Sequence, residues 1–331
     1  MRSVAFVLVT PLLACSATAT VVGGLPPDGS SGGDDGGTTM MPPVNGFQLS
    51  SPAIDIKAGV EATYCYYFNT PNDGDLKIQR WASHMTAGVH DMVVFLTPTD
   101  QQPAGTMSPA DCGIMNSTSA APAYAALTAD AETQLPGDDG SGTPIGQVIK
   151  AGQSGFLQMH YINTTGSVIH PQVQLNAYAY PDTVQVTPAA PFVTLNLDIE
   201  IGPGSATTPA TGMVSGNCPM PLDAAGDPLK FFAVTMQTHK QGVYTAVMDG
   251  AKTVFQSSNW EAPGNASWPT SPFYTFSSGA LSYQCRYSNS NNYSIMTGDN
   301  AATDEMCMAI GYFFPAPDGK GHLCLNSAMA F

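Results

Sequence analysis

Hydrophobic residues in this chain fall in short runs set apart by Gly, Pro, Asn, Asp and Ser, and within most runs they alternate with polar ones. A period of two over short segments is the signature of half-buried strands. Segments 61–69, 89–97, 155–163, 172–180 and 192–201 are predicted as strands, followed by 231–239, 243–248, 280–287 and 306–314. No long stretch carries a helical period, and no internal repeat is visible. Between the two groups lies Gly202-Pro203-Gly204-Ser205-Ala206-Thr207-Thr208-Pro209, a composition shift that reads as a linker. The pattern predicts an all-β protein of two antiparallel β-sandwich domains, 47–204 and 205–331.

The N-terminus has another character. Arg2 precedes a short apolar stretch, 4–13, and Leu12-Leu13-Ala14-Cys15 resembles a bacterial lipobox. Residues 1–15 are therefore expected to be a lipoprotein-type signal peptide, with Cys15 lipidated. The alternative is an ordinary signal peptide cleaved near Ala17-Thr18-Ala19, giving a secreted protein. Residues 16–46, rich in Gly, Pro, Ser and Asp, cannot bury a core and are expected to be a disordered tether. The expected location is the bacterial outer membrane or cell surface, with membrane contact only through the lipid at Cys15.

Composition narrows the partners. The 331 residues are 43% hydrophobic, enough for sizeable cores, and only 11% charged. Ten Lys+Arg stand against 25 Asp+Glu, a net charge of −15, too few cations for a nucleic-acid groove. Seven cysteines less Cys15 leave an even number in an oxidising compartment, with their pairing open.

Candidate chemistry rests on few residues, since the chain has six histidines. Alternation in 231–239 puts Phe231, Ala233, Thr235, Gln237 and His239 on one face and Met236 and Thr238 on the other. In 155–163, Phe156, Gln158 and His160 share a face. His90 and Asp91 are adjacent, so a regular strand points them apart, and both can serve one metal only at a bulge or a strand start. His84 lies on the same parity as His90 but across a turn-like Thr86-Ala87-Gly88. His170 and His322 read as surface loop residues. Each imidazole alone has a plain structural reading, a hydrogen-bonded core histidine, and Asp91 has one as a turn-stabilising carboxylate. With Met306 beside Cys307, however, these imidazoles supply the soft sulfur and nitrogen that copper prefers.

Taken in order, the segments resemble the copper type II, ascorbate-dependent monooxygenases, the group of peptidylglycine α-hydroxylating monooxygenase and dopamine β-hydroxylase. The match is strongest from Leu281-Ser282-Tyr283-Gln284-Cys285 through Thr297-Gly298-Asp299 to Asp304-Glu305-Met306-Cys307 and Tyr312-Phe313-Phe314-Pro315. Val89-His90-Asp91-Met92-Val93-Val94-Phe95, Leu157-Gln158-Met159-His160-Tyr161 and Thr238-His239 add to it. The resemblance implies two jelly-roll-like domains, each with one copper facing an open cleft. His90 and His160 would hold the copper that takes electrons from ascorbate or another one-electron reductant. His239 and Met306 would hold the oxygen-activating copper and are the implied catalytic pair. It also implies disulfides Cys65–Cys112, Cys218–Cys324 and Cys285–Cys307.

Two departures stand out. The family has adjacent histidines where this chain has His90-Asp91, and His-Thr-His where it has Gln237-Thr238-His239. Asp91 and Gln237 thus become candidate metal donors of a harder kind. The peptide hydroxylase's Arg, Asn and Tyr, which grip a terminal carboxylate, correspond to Thr235, Met308 and Ile310. A glycine-extended peptide is therefore not the expected substrate. The leading expectation is a copper monooxygenase homologue that hydroxylates a C–H bond of a small, largely apolar molecule with O2, using two ions, or one. The rivals are a copper-binding protein that stores, carries or senses metal, and a purely structural surface domain.

Overall fold

The computed structural model describes residues 40–109, 120–298, 300 and 302–330. The expected signal peptide, Cys15 and most of the expected tether lie outside the described residues. The last stretch of that tether is tied down: the Met40 amide donates to Gln174 Oε1 and the Met41 carbonyl accepts from Asn176 Nδ2. The first strand, Gly46–Ser50, begins at a glycine with φ 121°. A Cβ there would sit 1.8 Å from the Ala177 carbonyl oxygen, so strand entry requires glycine.

The described chain is all-β, with no helix among the described residues. A five-stranded antiparallel sheet runs in the order Met107–Ser108, Glu61–Asn69, Ser154–Ile162, Val89–Leu96, Ala121–Ala126. A second sheet crosses the whole molecule. Its path starts with Gly46–Ser50, Val173–Ala179, Leu76–Met85 and Ile145–Ile149, and reaches Thr187–Leu195. It continues through Met308–Phe314 and Lys230–Gln237. Thr187–Leu195 is the hinge of this architecture: it pairs in parallel with Ile145–Ile149 and His322–Leu325, and antiparallel with Met308–Phe314. Strands from both sides of residue 205 therefore share one hydrogen-bonded sheet. A four-stranded sheet, Ala210–Pro219, Ala280–Asn289, Gly242–Asp249 and Lys252–Ser257, covers the C-terminal half.

Alternation decides what each sheet face buries. One face of the five-stranded sheet, with Met92, Val94, Leu157, Met159 and Tyr161, closes the N-terminal core around Trp81. The other face carries Cys65, Tyr67, Val93, Phe95 and Phe156, which pack on Val193, Leu195, Met306, Met308 and Ile310 from later in the chain. This second cluster is the apolar seam between the halves. A third, around Phe231, Tyr283 and Phe313, is the core of the C-terminal half.

Two of the implied disulfides, Cys218–Cys324 and Cys285–Cys307, are present, with Cα–Cα distances of 6.0 and 5.8 Å. Cys65 is disulfide-bonded, and its implied partner Cys112 lies outside the described residues. The predicted linker is a hydrogen-bonded turn in which Ser205 and Thr208 bond each other's backbone and the Gly204 amide donates to Asn291. The predicted strand 192–201 is broken: Thr187–Leu195 ends, and Glu200–Ile201 pairs separately with Ile295–Met296. In 231–239 the register shifts between Phe231 and Ala233. Phe231 therefore joins Val234 and Met236 in the C-terminal core, not the face of Gln237 as parity predicts. His322 is a strand residue stacked on Phe313 at 5.1 Å, which corrects its reading as a surface loop.

Candidate metal centre

The seam between the halves changes character along its length. On one strand Phe156, Gln158 and His160 share a face, so the apolar packing of Phe156 gives way to an imidazole two pleats on. On its neighbours the same face runs from Val93 to Asp91, and from Cys65 through Thr63 to Glu61, with Asp91 and Thr63 both in register with His160. The register shifts between Val89 and Asp91, so His90 is the extra residue of a bulge. This is the device that sequence reasoning requires if both adjacent side chains are to serve one point.

The three side chains converge. His90 Nδ1 lies 2.9 Å from Asp91 Oδ2, and His160 Nδ1 lies 3.2 Å from the same oxygen. Among the described residues, His90, Asp91 and His160 form the group whose ligand atoms fall within 4.8 Å of one another. Burial opposes the charge on Asp91, but hydrogen bonds from His160 and His90 outweigh it and hold the carboxyl at about 2. The same contact raises the pKa of His90. The other nitrogen of His160, Nε2, faces Glu61 Oε1 at 3.1 Å.

The second donor set comes from the C-terminal half. His239 lies just past the Lys230–Gln237 strand, in a turn closed by the Gly242 amide on the His239 carbonyl. The buried Glu305 carboxylate fixes that turn, accepting the His239 amide at 2.8 Å and the Gln241 amide at 2.6 Å. Burial pushes Glu305 up to about 7 against these same hydrogen bonds. Glu305 precedes Met306, whose carbonyl accepts from Tyr287 and whose neighbour Cys307 is pinned to Cys285. The turn with His239 and the segment with Met306 are thus locked together. The His239 ring donates Nδ1–H to the Asp304 carbonyl at 2.9 Å, which leaves the Nε2 lone pair for a ligand. Burial lowers its pKa and keeps it neutral.

Both sets border one cavity of about 60 Å³, lined by His90, Asp91, His160, Gln237, His239 and Met306 with a mainly apolar remainder. This has room for an ion with a little water and none for an organic molecule, whose sites run to several hundred Å³. Thr235 and Ile310 also line it, Met308 packs in the seam, and no Arg or Lys is among the lining residues. Met236 borders the cavity but buries its side chain in the C-terminal core. Trp260 closes one side by stacking on His90, with ring centroids 5.4 Å apart. Its loop is held by Asn259 Oδ1, which accepts the Glu261 and Ala262 amides. Lys240 reaches Glu61 at 3.3 Å and ties the halves together beside His160.

The remaining histidines stay away from the cavity: His84 pairs with Asp130, His170 with Asp55, and His322 stacks on Phe313. A larger cavity of about 540 Å³ lies at the other end of the Val89–Leu96 strand, lined by Leu96, Pro122, Gln147 and Pro191 among others, with no histidine or methionine. Sequence reasoning misses Glu61, Lys240 and Trp260, because nothing local to any of them marks a site.

The donors fit copper. Three imidazoles and a thioether are the soft-to-intermediate ligands that both copper oxidation states accept, and Asp91 adds a harder oxygen that favours the higher one. By fold and site, this is an all-β protein in which imidazole, carboxylate and thioether side chains line one cavity between its halves. Residues 191–330 match the family described as copper type II ascorbate-dependent monooxygenase, C-terminal domain. No curated protein matches the chain. Among solved structures, it is similar to the major capsid protein P2 from bacteriophage PM2, at 8% identity and a TM-score of 0.26, covering 81% of this chain and 97% of that one. It is also similar to a tail fiber protein, gp63.1, from an E. coli phage, at 7% identity and a TM-score of 0.19, covering 81% of this chain and 38% of that one.

Proposed function

We propose that this chain is a copper-binding protein on the monooxygenase scaffold, holding one ion between its halves. His90, Asp91 and His160 are its principal ligands, with His239 and Met306 as the donors opposite and Gln237 beside them. The observation that carries this reading is that all six side chains line one cavity of about 60 Å³. A hydroxylase with two separated ions and an organic substrate between them needs a far larger space. Copper bound here would supply one-electron redox chemistry. The protein's residues would do the rest: Asp91 balances charge, His239 presents Nε2, and Trp260 and the apolar seam exclude water. In the same proposal the protein is exported and held at the cell surface by lipid at Cys15.

A second reading is favoured by one observation. Met306 and the anchored His239 keep two of the three donors of the oxygen-activating set. In that reading the halves part to admit O2 and a small apolar substrate, with ascorbate or a similar reductant. Copper retained after dialysis separates the two. One ion without ascorbate-dependent O2 uptake supports the binder, and two ions with uptake support the hydroxylase. No retained copper refutes both.

A further inference from the structure

Glu61 lies 99 residues from His160 in sequence and opens the strand beside it. Three atoms point at one place in the first donor set: His90 Nδ1, Asp91 Oδ2 and His160 Nδ1. For His160 to offer Nδ1 to an ion, its proton must sit on Nε2, and a buried N–H needs an acceptor. Glu61 Oε1, at 3.1 Å from Nε2, is that acceptor. Its other oxygen, Oε2, takes Lys240 Nζ at 3.3 Å, and Lys240 directly follows His239 in the chain. A continuous path thus runs from the ring of His160 through Glu61 and Lys240 to the turn that carries His239.

We propose that Glu61 is a positioning residue of this centre: it fixes the His160 tautomer that hands Nδ1 to the ion and, through Lys240, braces the two donor sets against each other. The proposal rests on the copper-binding reading above. A ligating histidine held by an outer carboxylate is both oriented and made more basic, and loss of such a partner typically weakens metal binding by about 10–100-fold. Lys240 then has a role its exposure alone does not give it. At 35% side-chain exposure its ion pair adds little stability, but it holds Glu61 in the one orientation that serves His160.

The test uses the full chain, stripped of metal and titrated with Cu(II) against a chromophoric chelator, with electron paramagnetic resonance as a second readout. Glu61→Ala should bind copper about 10–100-fold more weakly and change the nitrogen hyperfine pattern as His160 loses its orientation. Glu61→Gln keeps an oxygen for Nε2–H and should recover much of the affinity and the parent spectrum. Lys240→Met should fall between Glu61→Gln and the parent. An unchanged affinity and spectrum in Glu61→Ala overturns the proposal, as does a Glu61→Gln variant no better than Glu61→Ala. His160→Ala, run in parallel, tells the two failures apart. If it weakens binding while Glu61→Ala does not, only the positioning role fails. If neither variant affects binding, or the parent binds no copper, the metal-centre reading fails with it.

Discussion

Removing the charge of Asp91 while keeping its shape, as in Asp91→Asn, tests the electrostatics of the centre with no metal present. The carboxyl is held at about 2 against an ordinary value of 3.8, a gap worth about 2.5 kcal/mol at 1.36 kcal/mol per pH unit. Both rings address the same oxygen, Oδ2; an amide oxygen in its place still meets them but carries no charge, so the charge-assisted part of both bonds is lost. The metal-free variant should therefore unfold about 2 kcal/mol more easily than the parent. The pH dependence is the sharper check. A depressed carboxylate stabilises the fold above its unfolded value of 3.8, and that contribution is lost as pH falls through about 2. The raised pKa of His90 works from the other side: its share is complete below the unfolded histidine value of 6.5 and is lost as pH rises through the folded one. The parent's advantage should thus peak between about pH 4 and 6 and shrink on both sides. Urea denaturation of both proteins with chelator present, at about pH 2.5, 5.5 and 9, measures it. A difference under about 0.5 kcal/mol near pH 5.5, or one undiminished near pH 2.5, would refute the ion-paired centre.

Three further outcomes are expected. Placing imidazoles at both positions, Asp91→His with Gln237→His, should raise the affinity for copper, measured by titration against a chelator; no gain would mean that the two positions do not face the metal. Replacing Cys285 and Cys307 together by Ser opens a crosslink spanning 22 residues and should cost about 3 kcal/mol in the chain-entropy model, read by denaturation and accompanied by weaker copper binding through Met306. Cu(II) should quench tryptophan fluorescence mainly through Trp260, which stacks on His90, so Trp260→Phe should remove most of the quenching although Trp81 and Trp268 remain.

How much of this was legible in the sequence depends on whether a residue's role is local. Phe156, Gln158 and His160 obey unbroken alternation, and their shared face was readable. The adjacency of His90 and Asp91 demanded a bulge or a strand start, and the bulge is there. The same kind of irregularity defeated parity in 231–239, because nothing in Phe231-Phe232-Ala233 marks which residue is extra. Ala210–Pro219 was not predicted as a strand: its small and polar residues carry too little apolar alternation, and pairing with Ala280–Asn289 makes it one. Leu76–Met85 was missed for the same reason, its Lys, Gln and Arg masking a face that buries Ile78 and Trp81. Glu61, Lys240 and Trp260 were beyond sequence reasoning, since each acts on a side chain far away in the chain; 179 residues separate the two ends of the Glu61–Lys240 bridge.

The carboxylate of Asp91, set where a third imidazole would be the alternative, has a consequence for the metal-free protein. Two ring nitrogens aimed at a third imidazole have at most one acceptor to meet, so such a centre depends on its ion to reconcile the donors. Here the third group is an anion that accepts from both rings at once, at 2.9 and 3.2 Å, and a half-buried carboxylate with two charge-assisted donors is a satisfied group. The centre is therefore already assembled without metal, and an arriving ion must displace hydrogen bonds that stabilise the fold. That competition lowers affinity for a singly charged ion more than for a doubly charged one, because the carboxylate's attraction grows with the ion's charge. In the copper-binding reading proposed above, the centre should therefore hold Cu(II) in preference to Cu(I), which a titration with each ion in turn measures; equal affinity for the two would refute this step.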